Sequence, residues 1–343
     1  MNTSPVVARA GTVDSSLYRA LDTLIDRTIL LSYTRIGYAL RHRMWDAADL
    51  DVDMTGKVCV VTGANSGIGL ATAEGLATLG ASVYMVARDP AKGQAARDHV
   101  ITRTGNQTVQ LGISDLSSLD SVQGFAARFM RKEGRLDVLI NNAGVLLSRR
   151  RFSVDGIELS FATNVLGPFL LTNLLIPLMK RSAPARIIFV SSGGMYTQKL
   201  NVSDLQSERE PFNGVVAYAQ HKRAQVILTE LWAERLDESS VTVNGMHPGW
   251  VDTPGVRKSL PTFWKIVRPF LRTPAQGADT IVWLAAAPRL ASVSGKFWFD
   301  RRERETHKSA RTVSPTQDRQ RLWDECARLS GLTGGEARGA SGR

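Results

Sequence analysis

The 343-residue chain is poor in cysteine, with only Cys59 and Cys326. That is too few for a disulfide scaffold or a cysteine-based zinc site, and it fits a reducing compartment. No group of His, Cys, Asp and Glu has metal-ligand spacing, so no metal is expected. Long apolar runs are also lacking. The best N-terminal candidate for a membrane span, residues 24–40, carries Asp26, Arg27 and Arg35 inside it. The opening residues, MNTSPVVARAGTVDSS, lack the basic-then-apolar layout of a signal peptide. A cytoplasmic protein is expected, with association to a membrane surface left open. Acidic residues are in deficit: 32 Asp and Glu face 43 Lys and Arg, a net charge of +11. Such an excess suits nucleic acid, an anionic membrane or an acidic ligand, and total charge does not choose among them.

What is present reads as an ordinary globular chain, 43% hydrophobic and 22% charged. Residues 1–55 place Leu17, Leu21, Leu24, Ile25, Leu30, Leu31, Ile36 and Leu40 at helical spacing, an N-terminal helical extension. Residues 56–300 alternate short β-rich runs with helical stretches. VCVVT (58–62), SVYMVA (82–87), TVQLG (108–112), DVLI (137–140), RIIFVS (186–191) and VTVNGM (241–246) read as buried parallel strands. Between them lie helical patterns over 67–79, 117–132 and 217–238. This order predicts an α/β fold, a Rossmann-type doubly wound parallel sheet in a single domain. Residues 301–343 read as a C-terminal extension: a charged linker to about 316, a helix over 318–329, and a disordered Gly/Ala/Ser tail.

The first strand runs into Thr62-Gly63-Ala64-Asn65-Ser66-Gly67-Ile68-Gly69, which opens a helix. Glycines let the backbone approach a pyrophosphate, and the N–H groups of a helix start receive its charge. The spacing is TGxxxGxG. Further along stand Asn141-Asn142-Ala143-Gly144, Ser191-Ser192, Tyr218-Ala219-Gln220-His221-Lys222, and Pro248-Gly249 followed by Val251 and Thr253. In this order, over about 56–255, they resemble the short-chain dehydrogenase/reductase family. The resemblance implies an NAD(P)-binding oxidoreductase interconverting an alcohol and a carbonyl.

It also implies roles. Gly63, Asn65, Ser66, Gly67, Ile68 and Gly69 would cradle the cofactor phosphates. Asp115 and Leu116 would meet the adenine, and Asn142, Ala143 and Gly144 would line the adenosine side. Pro248, Gly249, Val251 and Thr253 would close over the far end. At the end of the second strand, where NAD-preferring relatives carry an acidic residue, stands Ala87 followed by Arg88. Without a carboxylate to repel it, a 2′-phosphate would find a forked guanidinium, so NADP(H) is favoured over NAD(H).

Tyr218 and Lys222, four apart on a helical pattern, project from one face. A phenol near pKa 10 trades protons poorly at neutral pH, and a nearby ammonium would lower it. By resemblance, Tyr218 is the proton donor and acceptor, and Lys222 also binds the nicotinamide ribose. Ser192, in preference to Ser191, would hold the substrate oxygen beside Tyr218. Asn164 would hold, through its carbonyl, a water leading to the lysine. Asp155, Glu158, His221 and His247 are not needed for this chemistry.

Ser192 and Tyr218 lie 26 residues apart, and the stretch 196–215 resembles the longer insert of relatives acting on retinol. Residues 254–278, where the family's fold covers substrate, contain no acidic residue. They hold Arg257, Lys258, Lys265, Arg268 and Arg272 beside Trp264, Ile266 and Phe270, with Pro261, Pro269 and Pro274 interrupting any long helix. This mixture suits a lipophilic substrate, an anionic one, or contact with an anionic membrane. No nucleic-acid motif is seen, and a homo-oligomer is compatible with the sequence. Two rival functions stand beside the oxidoreductase. A related epimerase is disfavoured by the glycine spacing, and a nucleotide-binding scaffold would not consume cofactor.

Overall fold

The computed structural model describes residues 22–26, 28–209 and 211–332. The first strand, β1 (Val58–Thr62), is buried along its whole length. Such a strand needs covering on both faces, and the chain provides it by alternation. There follow β2 (Ser82–Ala87), β3 (Gln110–Ile113), β4 (Val138–Asn141), β5 (Ala185–Val190), β6 (Val241–Met246), β7 (Phe297–Phe299) and β8 (Arg302–Glu303). They form one sheet in the order β3-β2-β1-β4-β5-β6-β7-β8. Every pairing is parallel except β7 with β8. Strand order reverses between β1 and β4, and the crevice at their carboxyl ends is where a nucleotide binds in such sheets.

One core lies between the sheet and the helices Gly67–Thr78, Pro90–Thr104 and Pro274–Ala286. The other lies beneath Leu119–Lys132, Gly167–Arg181 and Gly214–Arg235. Aromatic packing closes the second core: Trp232 stacks on Phe189 at 5.1 Å and meets Trp323 edge-on at 5.2 Å. Trp323 belongs to the helix Thr316–Leu329, which begins two residues before the sequence suggests. The apolar run Leu159–Arg181 is long enough to cross a membrane, yet 78% of its most apolar window is buried inside the protein, as a core helix requires.

Three expectations are corrected. The supposed linker after Phe299 is folded: Asp300 and Arg301, both at positive φ, form the two-residue turn of the β7–β8 hairpin. Several of its charges are paired, Arg301 with Asp279 and both Arg302 and Arg304 with Asp22. Arg272 is not part of a basic surface. It is 1% exposed, its guanidinium bonded to Asp300 and to the carbonyls of Ser32 and Tyr33. The prolines break the segment as expected: after the helix Pro254–Ser259, Pro261 and Pro274 open the helices Pro261–Val267 and Pro274–Ala286, and Pro269 lies in the single turn Arg268–Phe270 between them. Each first-turn proline lacks an N–H that would be orphaned there anyway. Residues 274–278 therefore belong to a core helix, and the cover spans the residues before it. Leu17, Leu21 and the tail beyond Leu332 lie outside the described residues.

Candidate active site

The loop after β1 admits only glycine at several points. Gly63 has φ +65°, and a Cβ on it would lie 2.9 Å from the Ala143 Cα. A Cβ on Gly69 would come within 2.3 Å of the Gly63 carbonyl. Gly67, at φ +57°, faces the methyl of Thr253. The helix Gly67–Thr78 starts at Ser66 with no side-chain cap and no acidic residue in its first turn. Its leading N–H groups remain available to an anion, with Asn65 and Ile68 half-buried beside them. These residues fit a dinucleotide.

Thr62, absent from the expected site, ties this loop to the next. Its hydroxyl accepts from the N–H groups of Asn142 and Ala143 at 3.0 and 3.1 Å and donates to the Ile140 carbonyl. Asn142 Nδ2 donates back to the Thr62 carbonyl at 2.8 Å. A hydroxyl ending an otherwise apolar buried strand was the available signal. Ala87 ends β2 inside the protein, and Arg88 stands exposed after it. Asp115 accepts from the Ser117 amide and hydroxyl at 3.0 and 2.7 Å, which shapes the turn after β3. Leu116 is buried, its carbonyl packed so tightly on Gly167 that a Cβ there would sit 2.1 Å away.

The two serines after β5 divide. Ser191 is buried and donates to the Lys222 carbonyl at 2.9 Å. Ser192 is half-buried, accepts from the Gly194 N–H at 3.2 Å, and lies near enough to the Tyr218 phenol to lower its pKa. The helix Gly214–Arg235 carries Tyr218 and Lys222 to the ends of β4 and β5. Lys222 Nζ donates to the Val190 carbonyl at 2.8 Å and to Gln225 Oε1 at 3.0 Å, and it lies 5.5 Å from the Tyr218 ring centre. Gly144 makes room: a Cβ on it would be 3.4 Å from that Nζ. Asn164 uses both side-chain atoms on the backbone of Val145, at 2.7 and 2.8 Å, just beyond Gly144. Its carbonyl, expected to hold a water, accepts from Gln225 Nε2 at 2.6 Å.

Burial sets the charges. It pushes the Tyr218 phenol up to about 12, with Ser192 opposing, and brings the Lys222 ammonium down to about 7. The lowering expected from the sequence calls on Lys222 together with the oxidised nicotinamide; in the chain alone Lys222 is directed to Val190 and Gln225, and burial prevails. Tyr218 therefore holds its proton at neutral pH. His221 is pushed down to about 3 and stays neutral, and His247, stacked on Phe299 at 3.9 Å, is also held neutral by burial. Asp155 and Glu158 bond backbone N–H groups at the helix starts of Leu119 and Ser160.

At the far end, Gly249 has φ +76°, and a Cβ would lie 2.7 Å from Arg272 Nε. Pro248 gives its carbonyl to the same guanidinium. Val251 bridges to Arg272, and Thr253 caps the helix Pro254–Ser259. Trp250 packs edge-on against Phe263 at 5.1 Å and Tyr33 at 6.0 Å, so the N-terminal helices, the Pro-Gly-Trp loop and the cover share one aromatic seam.

The family model described as short chain dehydrogenase matches residues 57–262. The chain belongs to the short-chain dehydrogenase/reductase family. It is 46% identical over 286 residues to dehydrogenase/reductase SDR family member 12 of Homo sapiens, covering 83% of this chain and 89% of the relative. Against retinol dehydrogenase 12 of Homo sapiens the identity is 39% over 284 residues, 82% of this chain and 89% of that one. A solved short-chain dehydrogenase from Shigella flexneri, complexed with NADP, superposes with a TM-score of 0.58 at 26% identity, over 71% of this chain and 96% of its own. The protein is an NAD(P)-dependent short-chain dehydrogenase/reductase acting on CH–OH groups.

Proposed function

We propose that this enzyme uses NADP(H) to interconvert a lipophilic alcohol and its carbonyl, with Tyr218 moving the proton. The observation that carries the reading is the convergence of Ser192, Tyr218 and Lys222 at the carboxyl ends of β4 and β5. When bound, the nicotinamide supplies or takes the hydride. Ser192 orients the substrate oxygen and shares the charge that grows on it. Tyr218, protonated at neutral pH, donates to that oxygen during reduction and is left as phenolate; in oxidation it is the phenolate form that takes the alcohol proton. Lys222, close to half charged near pH 7, supplies positive charge beside the phenol and a donor for the ribose.

The cofactor preference rests on Ala87 and the exposed Arg88, and the NADP held by the Shigella flexneri relative is in keeping with it. The substrate class rests on the aromatic seam at Trp250 and on the likeness to a retinol dehydrogenase. Ile266 and Phe270 are 70% and 44% exposed beside exposed Lys258, Lys265 and Arg268. Exposed apolar residues interspersed along the chain with exposed cations suit the surface of an anionic membrane, from which such a substrate would enter. NADPH absorbance, followed across carbonyls from short aldehydes to long polyenals, tests the reading. Long polyenals should be consumed fastest, and Tyr218→Phe should bind NADPH as before while losing about 100-fold or more in turnover. Normal turnover by the Phe variant would send the search to another acid.

A further inference from the structure

Asn164 lies in a π-helical turn, Ala162–Leu166. Four residues ahead stands Pro168, which has no N–H to donate, so the Asn164 carbonyl is left without its α-helical partner. Gln225 fills that vacancy from another helix, through Nε2 at 2.6 Å. The same amide turns its oxygen to Lys222 Nζ at 3.0 Å. Gln225 and Lys222 are three apart and share a helix face. Gln225 is 1% exposed, and its backbone carbonyl accepts from the Thr229 hydroxyl at 2.8 Å. The amide is thus buried and bonded at both ends, a donor toward a carbonyl and an acceptor toward an ammonium.

We propose that Gln225 is a positioning residue for the reaction: its amide bridges the Asn164 carbonyl and Lys222, fixing the direction of the ammonium and favouring its charged form. The proposal rests on the reading of Lys222 as the ribose and charge partner. Only an amide suits the bridge. A carboxylate would set one acceptor against another at the Asn164 carbonyl, and a hydrocarbon would leave two buried polar groups unpaired.

The charge state of Lys222 is unusually dependent on this contact. Among the described residues no carboxylate pairs with it. The titratable groups facing it are Tyr218 and His221, on its own helix, and both are neutral near pH 7. Burial opposes the ammonium. What favours it are two neutral acceptors, Val190 O and Gln225 Oε1.

The test compares Gln225→Leu with Gln225→Glu in the full chain. Lysine labelled with carbon-13 at Cε reports the Lys222 titration by NMR without cofactor, and NADPH fluorescence reports binding across pH. Leu should lower the midpoint by about one pH unit, since a hydrogen bond to a charged group is worth that much. NADPH affinity near pH 7.5 should then fall several-fold. Glu should move the midpoint the other way. Glu is the control, because a carboxylate beside the ammonium raises its midpoint whatever the amide does, whereas a packing role predicts an unmoved midpoint in Leu, which nearly matches glutamine in volume. Should Leu fail to fold, Gln225→Met, unbranched like glutamine, repeats the measurement, and an unmoved midpoint in the apolar variant overturns the proposal. If wild-type protein binds no NADPH at any pH, the cofactor reading itself falls. Binding by wild type with the midpoint unmoved in the apolar variant refutes Gln225 alone.

Discussion

The ring of Tyr33 occupies the space into which a side chain at residue 193 would grow: a Cβ on Gly193 would stand 2.4 Å from Tyr33 Cε2 and 3.0 Å from its hydroxyl. Gly193 directly follows Ser192, so the N-terminal helices press on the turn that presents the Ser192 hydroxyl. Tyr33 is held from behind, its carbonyl accepting from the Trp250 N–H at 2.8 Å and from Arg272 Nε at 3.1 Å. The extension is therefore part of the site's wall rather than an appendage. Gly193→Ala should push Ser192 out of register and cost about 10- to 100-fold in turnover. Adding Tyr33→Leu should restore most of it. A double variant no better than the single one would show that the clash lies elsewhere.

The same extension is pinned by buried charge. Asp300 is 2% exposed and receives two guanidiniums, Arg41 at 2.8 Å and Arg272 at 2.5 Å. Removing one member of such a group leaves the others uncompensated, at a cost of about 3–5 kcal/mol. Asp300→Asn isolates the charge, because asparagine tolerates the positive φ of this turn as well as aspartate does. We expect a lower urea midpoint and faster protease cleavage before Arg41. Wild-type behaviour in both assays would mean that the cluster is already neutralised by its other partners.

How far the sequence reached follows from how local each signal is. β1, β2 and β6 have the predicted bounds, because a run such as VCVVT between polar residues is its own evidence. The glycines of the loop after β1 and the common helix of Tyr218 and Lys222 were legible for the same reason, each being a short pattern with a steric or helical cause. Arg272 was misplaced because its partner Asp300 and its contacts Ser32 and Tyr33 are remote in sequence, and a cation's neighbours cannot be read from the cation. Gln225 was missed although both halves of its signal were visible: one helical turn past Lys222, and a proline four residues past Asn164. Only the fold brings the two helices together.

Cofactor choice offers a charge test. Ala87 is buried at the end of β2 and Arg88 exposed after it. Arg88→Gln removes the guanidinium, and Ala87→Asp adds a carboxylate where a 2′-phosphate would lie. Together they should weaken NADPH by about 10- to 100-fold, the worth of a charge-assisted contact, while NADH holds or improves. Titrating both cofactors by fluorescence checks it, and an unchanged ratio would place the 2′-phosphate away from Arg88.

Lys222 carries a stability cost whose pH dependence has a definite sign. Burial brings its ammonium from 10.5 down to about 7 in the folded chain. Below pH 7 both folded and unfolded chains hold the proton, so the full penalty of a buried cation weighs on the folded state. Between about 7 and 10.5 the unfolded chain binds more protons than the folded one, and stability rises with pH, by at most about 1.4 kcal/mol per pH unit. Lys222→Met deletes this contribution. Without cofactor, the variant should outlast wild type in urea at pH 6, and its margin should shrink steadily from pH 8 to pH 10. A margin flat across that range would mean the buried ammonium keeps its ordinary value. The variant should at the same time lose cofactor affinity, so that the residue which weakens the empty fold is the one the proposed chemistry needs.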